Sequence, residues 1–288
     1  MKEHRLAQVS AVFLALLLVL SLAAPLIAYL RGIDPSMTDL HHRLEGPSAA
    51  HWLGTDDLGR DLLQRLLDGG RVSLLVGVAG AILSAILGAI IGVVAGYRGG
   101  RLDNVLMRFT DGVIALPLLP LLIILAAIDP AKVGIPPAVA QSETFSLYRI
   151  VVIVALTGWT TVARLVRAET LSLKARDFTR AAQALGARPW RIMLRHILPN
   201  AAGSLVVSTT MSIGTLILFE STLSFLGLGI QPPAASWGNM LTGAQELLQE
   251  APMLAVWPGL LIFLTVIAFN FLGDGLQDAL DPRSERRT

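Results

Sequence analysis

Cysteine is missing from all 288 residues, which excludes disulfides, thiolate nucleophiles and cysteine metal sites. Charge is scarce too: Asp, Glu, Lys and Arg make up 15% of the chain, against about 25% in an average soluble domain. Aromatic residues reach only 6%. The basic residues are spread between apolar stretches rather than gathered in one patch. The pI of 9.3 therefore does not indicate a nucleic-acid partner, which would need a continuous basic stripe or a stacking platform. Gly-x-x-x-x-Gly-Lys-Ser/Thr, His-Glu-x-x-His and Gly-x-Ser-x-Gly are all absent, so no familiar phosphate loop, zinc-hydrolase helix or serine-nucleophile turn is present.

What is abundant is apolar surface: 53% of residues are hydrophobic and the mean hydropathy is +0.64. A soluble core could not absorb that excess, because much of a folded surface must still face water. A bilayer can, and about 20 apolar residues suffice for each crossing. Six stretches qualify, near Val9–Leu30, Val72–Tyr97, Val105–Ile128, Leu147–Leu165, Ala201–Phe225 and Leu254–Leu272. The first follows Lys2 and Arg5 but exceeds the usual 7–15-residue apolar core of a cleaved signal, so it is expected to be a retained span. The fold expected is therefore all-α, a polytopic bundle of six transmembrane helices in contact with membrane lipid.

The second stretch carries small residues at three- and four-residue spacing (Gly77, Gly80, Ala81, Ser84, Gly88, Gly92, Gly96), which lets helix backbones approach closely in lipid. Packing within the chain is the plainer reading; a subunit interface is the alternative. Pro117 and Pro120 should kink the third stretch. The fourth spans only if Arg149 and Arg164 extend toward opposite interfaces. With the N-terminus in the cytoplasm, 16 of the 23 lysines and arginines fall on the cytoplasmic side, so both termini are expected there.

Three outer segments follow from that orientation. Leucines at 58, 62, 63, 66 and 67 predict an amphipathic helix capped near Thr55 or Asp56 that either lies along the outer membrane surface or plugs against the spans. Residues 129–148, with three prolines, predict a loop. Residues 226–253 predict a turn-rich stretch that ends in a short polar helix near Glu246.

The long inner segment 177–199 predicts two short helices. Gly186 ends the first in a left-handed conformation, Pro189 opens the second, Pro199 interrupts it and Asn200 caps the next span. Apolar Ala181, Ala182, Leu185, Trp190 and Met193 alternate with Arg180, Arg188, Arg191 and Arg195. Such an elbow fits either a groove on another protein or a surface of anionic lipid.

Glu220 is an ionisable residue inside a span and so a candidate functional group. It could meet a ligand amino terminus in a pathway, or be a hydrogen-bonded acid that ties spans together near the outer end. Arg108 and Asp111 are expected to pair within one helix, and Asn270 and Asp274 to satisfy helix ends. His41 and His42 read as a solvated loop rather than a metal site. No span contains a histidine, nucleophile–base pair or metal cluster, which argues against an intramembrane enzyme; a passive channel would lack the elbow.

The elbow also resembles the coupling loop of ABC-importer permeases, whose pattern is Glu-Ala-Ala, three residues, Gly, nine residues, Ile-x-Leu-Pro. Ala181, Ala182, Gly186, Leu198 and Pro199 match it, whereas Arg180 replaces the Glu and His196 the Ile. Further blocks are similar to the C-type subunit of the dipeptide/oligopeptide (and nickel) permease family. These are His51–Asp61, Ala95–Gly100, Glu220–Gly229 with Gln231-Pro232-Pro233, and Phe269–Leu276 through Asp281-Pro282-Arg283. The 129–148 loop is longer than is usual in that family.

The resemblance implies a type I importer fold divided at 1–70 (first span and periplasmic amphipathic segment), 71–275 (permease core, coupling loop 168–199) and 276–288 (cytoplasmic tail), in a bacterial inner membrane. It implies a second homologous permease subunit, two ATPase subunits that bind ATP and Mg, and a periplasmic or lipid-anchored solute-binding protein. No cofactor is expected in this chain. Arg180, Ala181, Ala182, Leu185, Gly186, Ala187, Trp190, Leu198 and Pro199 would meet the ATPase. Cargo would be di- or oligopeptides, with nickel complexes or oligosaccharides as alternatives.

Overall fold

The computed structural model describes residues 2–35, 37–140 and 142–280. The chain runs through α1 (Lys2–Leu22), α2 (Ala24–Arg31), α3 (Leu62–Arg98), α4 (Gly100–Ala115), α5 (Leu118–Ala127) and the single turn α6 (Pro137–Ala140). It continues through α7 (Glu143–Lys174), α8 (Asp177–Ala184), α9 (Pro189–Ile192), α10 (Ala202–Phe225), α11 (Trp237–Glu246) and α12 (Met253–Leu280). Among the described residues the one extended pairing is an isolated bridge between Thr55 and Asp61. Five helices are long and apolar enough to cross a membrane, and α4 with α5 supplies a sixth crossing if that bent pair counts as one.

The pair α3 and α7 forms the spine. Gly88, Gly92 and Gly96 lie on one face of α3, and a Cβ at Gly92 would sit 2.5 Å from the Ala163 carbonyl oxygen on α7. At Gly88 it would sit 2.6 Å from Val162 Cβ, and at Gly96 2.7 Å from Thr170 Cβ. Only glycine admits that approach, and it gains dispersion contact along both backbones where lipid provides no hydrophobic drive. The small-residue face thus packs within the chain. Gly80 meets Val154 of α7 and Gly77 meets Ile217 of α10 in the same way.

Several local expectations are corrected. Of the two placements expected for the leucine-striped segment, the structure shows packing against the spans, with Leu62 and Leu66 buried beside Leu14, Leu17 and Trp237, and the helix starts later than expected. Gly59 takes φ +73°, which a helix through 56–60 could not accommodate, and Asp56 instead accepts from the Leu58 and Arg60 amides in a tight turn. The N-cap is Asp61, which accepts from Gln64 N at 2.7 Å. The helix it opens is continuous with the second span and buries Leu62 and Leu66 in the bundle. A division at residues 70–71 therefore falls inside α3. Asp61 also takes a bidentate contact from Arg31, with Nη2 to Oδ2 at 3.0 Å, and so ties the end of α2 to the start of α3.

The third span does not merely kink but turns through 89° between α4 and α5. Leu116, immediately before Pro117, is extended (φ −74°, ψ 137°), because the proline ring disfavours the helical region for its predecessor. Pro120 falls in the first turn of α5, where its missing amide costs nothing. The 129–148 loop is shorter than expected, since α7 begins at Glu143 with Ser142 as its cap, accepting from Phe145 N. The fourth span is correspondingly 32 residues long, with Arg149 donating to the Ala126 and Ile128 carbonyls at the end of α5.

Asn270 and Asp274 lie inside α12, which runs on to Leu280, so they do not serve helix ends. The tail from 276 begins as the last turns of α12, and Asp281, Pro282 and Arg283 lie outside the described residues. Replacing Gly92 by Leu should destabilise the bundle by about 1–3 kcal/mol through overpacking, read as a lower Tm in detergent. Gly259→Ala, whose new Cβ would meet nothing within 4 Å, should leave Tm unchanged.

Candidate translocation surface and coupling elbow

A cavity of about 1270 Å³ opens between α4, the start of α5, α7, α10 and α12. Its wall is hydroxyl-rich. Ser204, Ser208, Ser212 and Thr215 come from one face of α10, at intervals of four, four and three, and Thr157, Thr160 and Thr161 face them from α7. Asn200, Asn270 and Gln277 add amides, and Val113, Leu116, Leu118 and Phe219 add apolar surface. Among the described residues Arg164 is the one charged residue in the lining. Several hydroxyls donate to their own helix, as Ser212 Oγ does to Ser208 O at 2.6 Å. Their oxygens remain free to accept. This stripe is not among the candidates named from the sequence; its signal is the 204–208–212–215 spacing within an otherwise apolar span.

Arg164 pairs with Asp111 across the α4–α7 contact. The expected Arg108–Asp111 pair inside one helix is thereby corrected: the stronger partner comes from the neighbouring helix. One turn below, Arg167 Nε and Nη2 hold both Asp103 oxygens, at 2.5 and 2.7 Å. This fork–fork contact fixes α4 against α7 beside the cavity. Phe109 stacks on Trp159 between them, with ring centroids 6.0 Å apart.

The elbow leaves the end of α7 at Lys174. Its first helix, α8, ends as expected, with Gly186 at φ +74°. The Gly186 amide donates to Gln183 O and the Ala187 amide to Ala182 O, both at 3.0 Å, which completes a Schellman cap. Pro189 stands at the start of α9. That helix is one turn long and passes into a π-turn over Met193–Ile197. Asn200 does not cap α10. Its Nδ2 donates back to His196 O at 2.6 Å, and the N-cap position belongs to Ala201.

The residues singled out in the elbow divide by direction. Ile192 and Ile197 are buried against Ala89, Val93, Val162 and Val166, and Ala182, Ala187 and Leu198 pack on that cluster from its edge. Arg180, Ala181, Gly186 and Pro199 are exposed, Leu185 is 88% exposed and Trp190 54%. Arg176, Arg188, Arg191 and Arg195 surround them, also exposed. Leu185 and Trp190 thus give the tip of this capped turn exposed apolar surface within a basic rim. The elbow is braced from behind as well. Lys174 Nζ donates to Tyr97 O at 2.5 Å, and Thr179 Oγ1 to Leu173 O at 2.8 Å.

Glu220 does not line the cavity. It is fully buried one residue beyond Phe219, and its oxygens accept from the hydroxyls of Ser73, Ser221 and Ser224. His41 and His42 sit in the exposed loop between α2 and α3, where the Asp39 carboxyl, 2.7 Å from His42 Nδ1, raises the His42 pKa above the ordinary imidazole value. No cluster of three or more His, Asp or Glu suited to a metal occurs among the described residues.

Residues 88–286 match the family described as "binding-protein-dependent transport system inner membrane component". The chain belongs to this family of ABC-importer permeases. The permease is 38% identical over 282 residues to the oligopeptide transport system permease protein OppC of Bacillus subtilis, covering 98% of this chain and 87% of that protein. It is 41% identical over 284 residues to the glutathione transport system permease protein GsiD of Pectobacterium atrosepticum, covering 98% and 88%. Among solved structures, the inward-facing MetNI methionine ABC transporter aligns with a TM-score of 0.61 at 18% identity, over 76% of the permease and 98% of that chain. That likeness establishes the type I importer fold, and the family places the permease in the inner membrane as a multi-pass transport subunit.

Asp103→Asn removes one charge from the fork–fork contact and should cost the permease roughly 1–3 kcal/mol, lowering Tm in detergent. Arg167→Lys, which keeps the charge but loses the fork, should fall between the parent and Asp103→Asn.

Proposed function

We propose that the permease forms one half of an ATP-driven import pathway for di- and oligopeptides, with the hydroxyl-lined cavity as its share of that pathway. A related but non-identical permease supplies the other half, two cytoplasmic ATPases drive it, and a solute-binding protein delivers cargo. Peptide as cargo is supported by relatives named for oligopeptide and glutathione transport over nearly the whole chain. The wall chemistry agrees: hydroxyls and amides can exchange hydrogen bonds with peptide groups of any sequence, and no row of fixed charges selects one side chain.

One observation carries the coupling. The exposed elbow is packed through Ile192 and Ile197 onto α3 and α7 and leads directly into α10, whose hydroxyl face lines the cavity. A chain without a phosphate-loop motif must receive the energy of ATP hydrolysis through contact, and this elbow connects the exposed tip to the wall without a flexible joint. Leu185 seats in an apolar groove of the ATPase, Arg180, Ala181, Gly186, Trp190 and Pro199 surround it, and Ala182, Ala187 and Leu198 hold the elbow to the bundle. Closure of the ATPases then moves α7 and α10 as a lever. The lysine and arginine bias puts the elbow and both termini in the cytoplasm.

Gly186→Val forces a β-branched residue into the left-handed region with no steric neighbour to blame. Uptake of labelled peptide by cells should fall toward background while the purified complex still hydrolyses ATP. Leu185→Glu should release the ATPases during purification. Normal uptake and normal co-purification in both variants would remove the elbow from the mechanism.

A further inference from the structure

Leu118, Leu216 and Phe219 line the end of the cavity that lies farthest from the elbow along α10. Beyond that end lies an apolar layer in which Leu122 and Ala126 of α5, Ile150 and Val154 of α7, and Leu223 of α10 pack with Ile230 from the segment between α10 and α11. Leu228 and Ala234 pack at its edge. Residues 228–246 thus form a cap over this layer, and α11 completes the cap by settling on α12, α10 and α3. A Cβ at Gly238 would lie 2.5 Å from Ser221 Cα, and one at Gly70 2.9 Å from the Trp237 ring. Trp237 is fully buried, with its indole N–H donating to Leu66 O at 2.9 Å.

Two points of the cap, Ile230 near its start and Trp237 at the head of α11, lead to one carboxyl. The Ile230 amide donates to Ser224 Oγ at 3.0 Å, and that hydroxyl donates to Glu220 Oε1 at 2.7 Å. The Trp237 amide donates to Ser73 Oγ at 3.2 Å, and that hydroxyl donates to Glu220 Oε2 at 3.0 Å. A serine hydroxyl has a single hydrogen to give, and here each gives it to Glu220 while accepting from the cap. The two relays hold because the carboxyl offers acceptors to hydroxyls from both α3 and α10. Buried acceptors of this kind leave several donors unsatisfied at once when they are removed.

We propose that Glu220 is the latch of an outer gate: through Ser224 and Ser73 it positions residues 228–246 over the apolar layer at that end of the cavity, and cargo enters when that cap lifts. Glu220 is a positioning residue and does not touch cargo. The proposal rests on the reading of the cavity as the pathway, and the test separates the two.

The permease has no cysteine, so a thiol introduced by Thr215→Cys, in the cavity wall, is unique in this chain. Its reaction with a membrane-impermeant maleimide is followed in the assembled transporter, from the outer side in cells and from the elbow side in inverted vesicles. In the parent it should react from the elbow side and be protected from the outer side. Glu220→Ala should raise outer labelling by about tenfold or more, with elbow-side labelling and co-purified ATPase unchanged. Glu220→Gln retains one acceptor oxygen and should fall between them. Ser224→Ala cuts the Ile230 relay alone and should raise outer labelling as well; it carries the test if Glu220→Ala fails to reach the membrane. Outer labelling equal to the parent in these variants overturns the latch, as does a rise shared equally by both sides. Protection of the parent thiol from the elbow side overturns the pathway reading itself.

Discussion

Backbone contact between α3 and α7 is the constraint on which the remaining geometry depends. Gly88, Gly92 and Gly96 bring the two helices closer than any larger residue would permit, and lipid supplies no hydrophobic drive that might hold them at a greater distance. Once that spine is set, α7 presents Arg164 and Arg167 to α4, which fixes one wall of the cavity. It also projects past the bundle to begin the elbow. Tyr97, at the end of α3, is close enough to brace Lys174 for the same reason. The inner contact surface and the cavity wall are thus two ends of one rigid pair.

Polar groups inside the bundle follow a consistent logic. Three helix-borne acids have donors supplied from a second helix: Asp103 from Arg167, Asp111 from Arg164, Glu220 from Ser73. The distinction lies in the donor. Guanidinium partners fix α4 to α7 beside the cavity, whereas hydroxyl partners hold the carboxyl under the cap. Hydroxyl relays are individually weaker than fork–fork ion pairs, which suits contacts that must be remade in each cycle over contacts that must persist.

Much of this was legible beforehand, for physical reasons that also mark where legibility ends. Runs of about 20 apolar residues declare membrane crossings, and Gly186 and Pro189 declare a helix stop and a helix start, because each signal is local. The start of α3 was misplaced because leucines at 58, 62 and 66 carry helical spacing, yet Gly59 breaks that helix and Asp61 begins another. The partner of Asp111 could not be read from spacing, since Arg108 is near in sequence and Arg164 is near only after α7 has packed. The hydroxyl face of α10 went unread because Ser and Thr are tolerated throughout membrane helices, and only the fold shows which of them border open space.

The wall with a single, already neutralised arginine has one further consequence. On the proposed reading of the cavity as a pathway, a corridor wall whose one charge among the described residues is already paired creates neither an electrostatic well that would trap an ion nor a barrier that would turn it back, so it contributes little to telling one molecule from another. Discrimination then rests upstream, with whatever hands the molecule over. A transporter organised in this way can acquire a new diet by exchanging its delivery component while the corridor stays as it is, and closely related corridors can serve different nutrients.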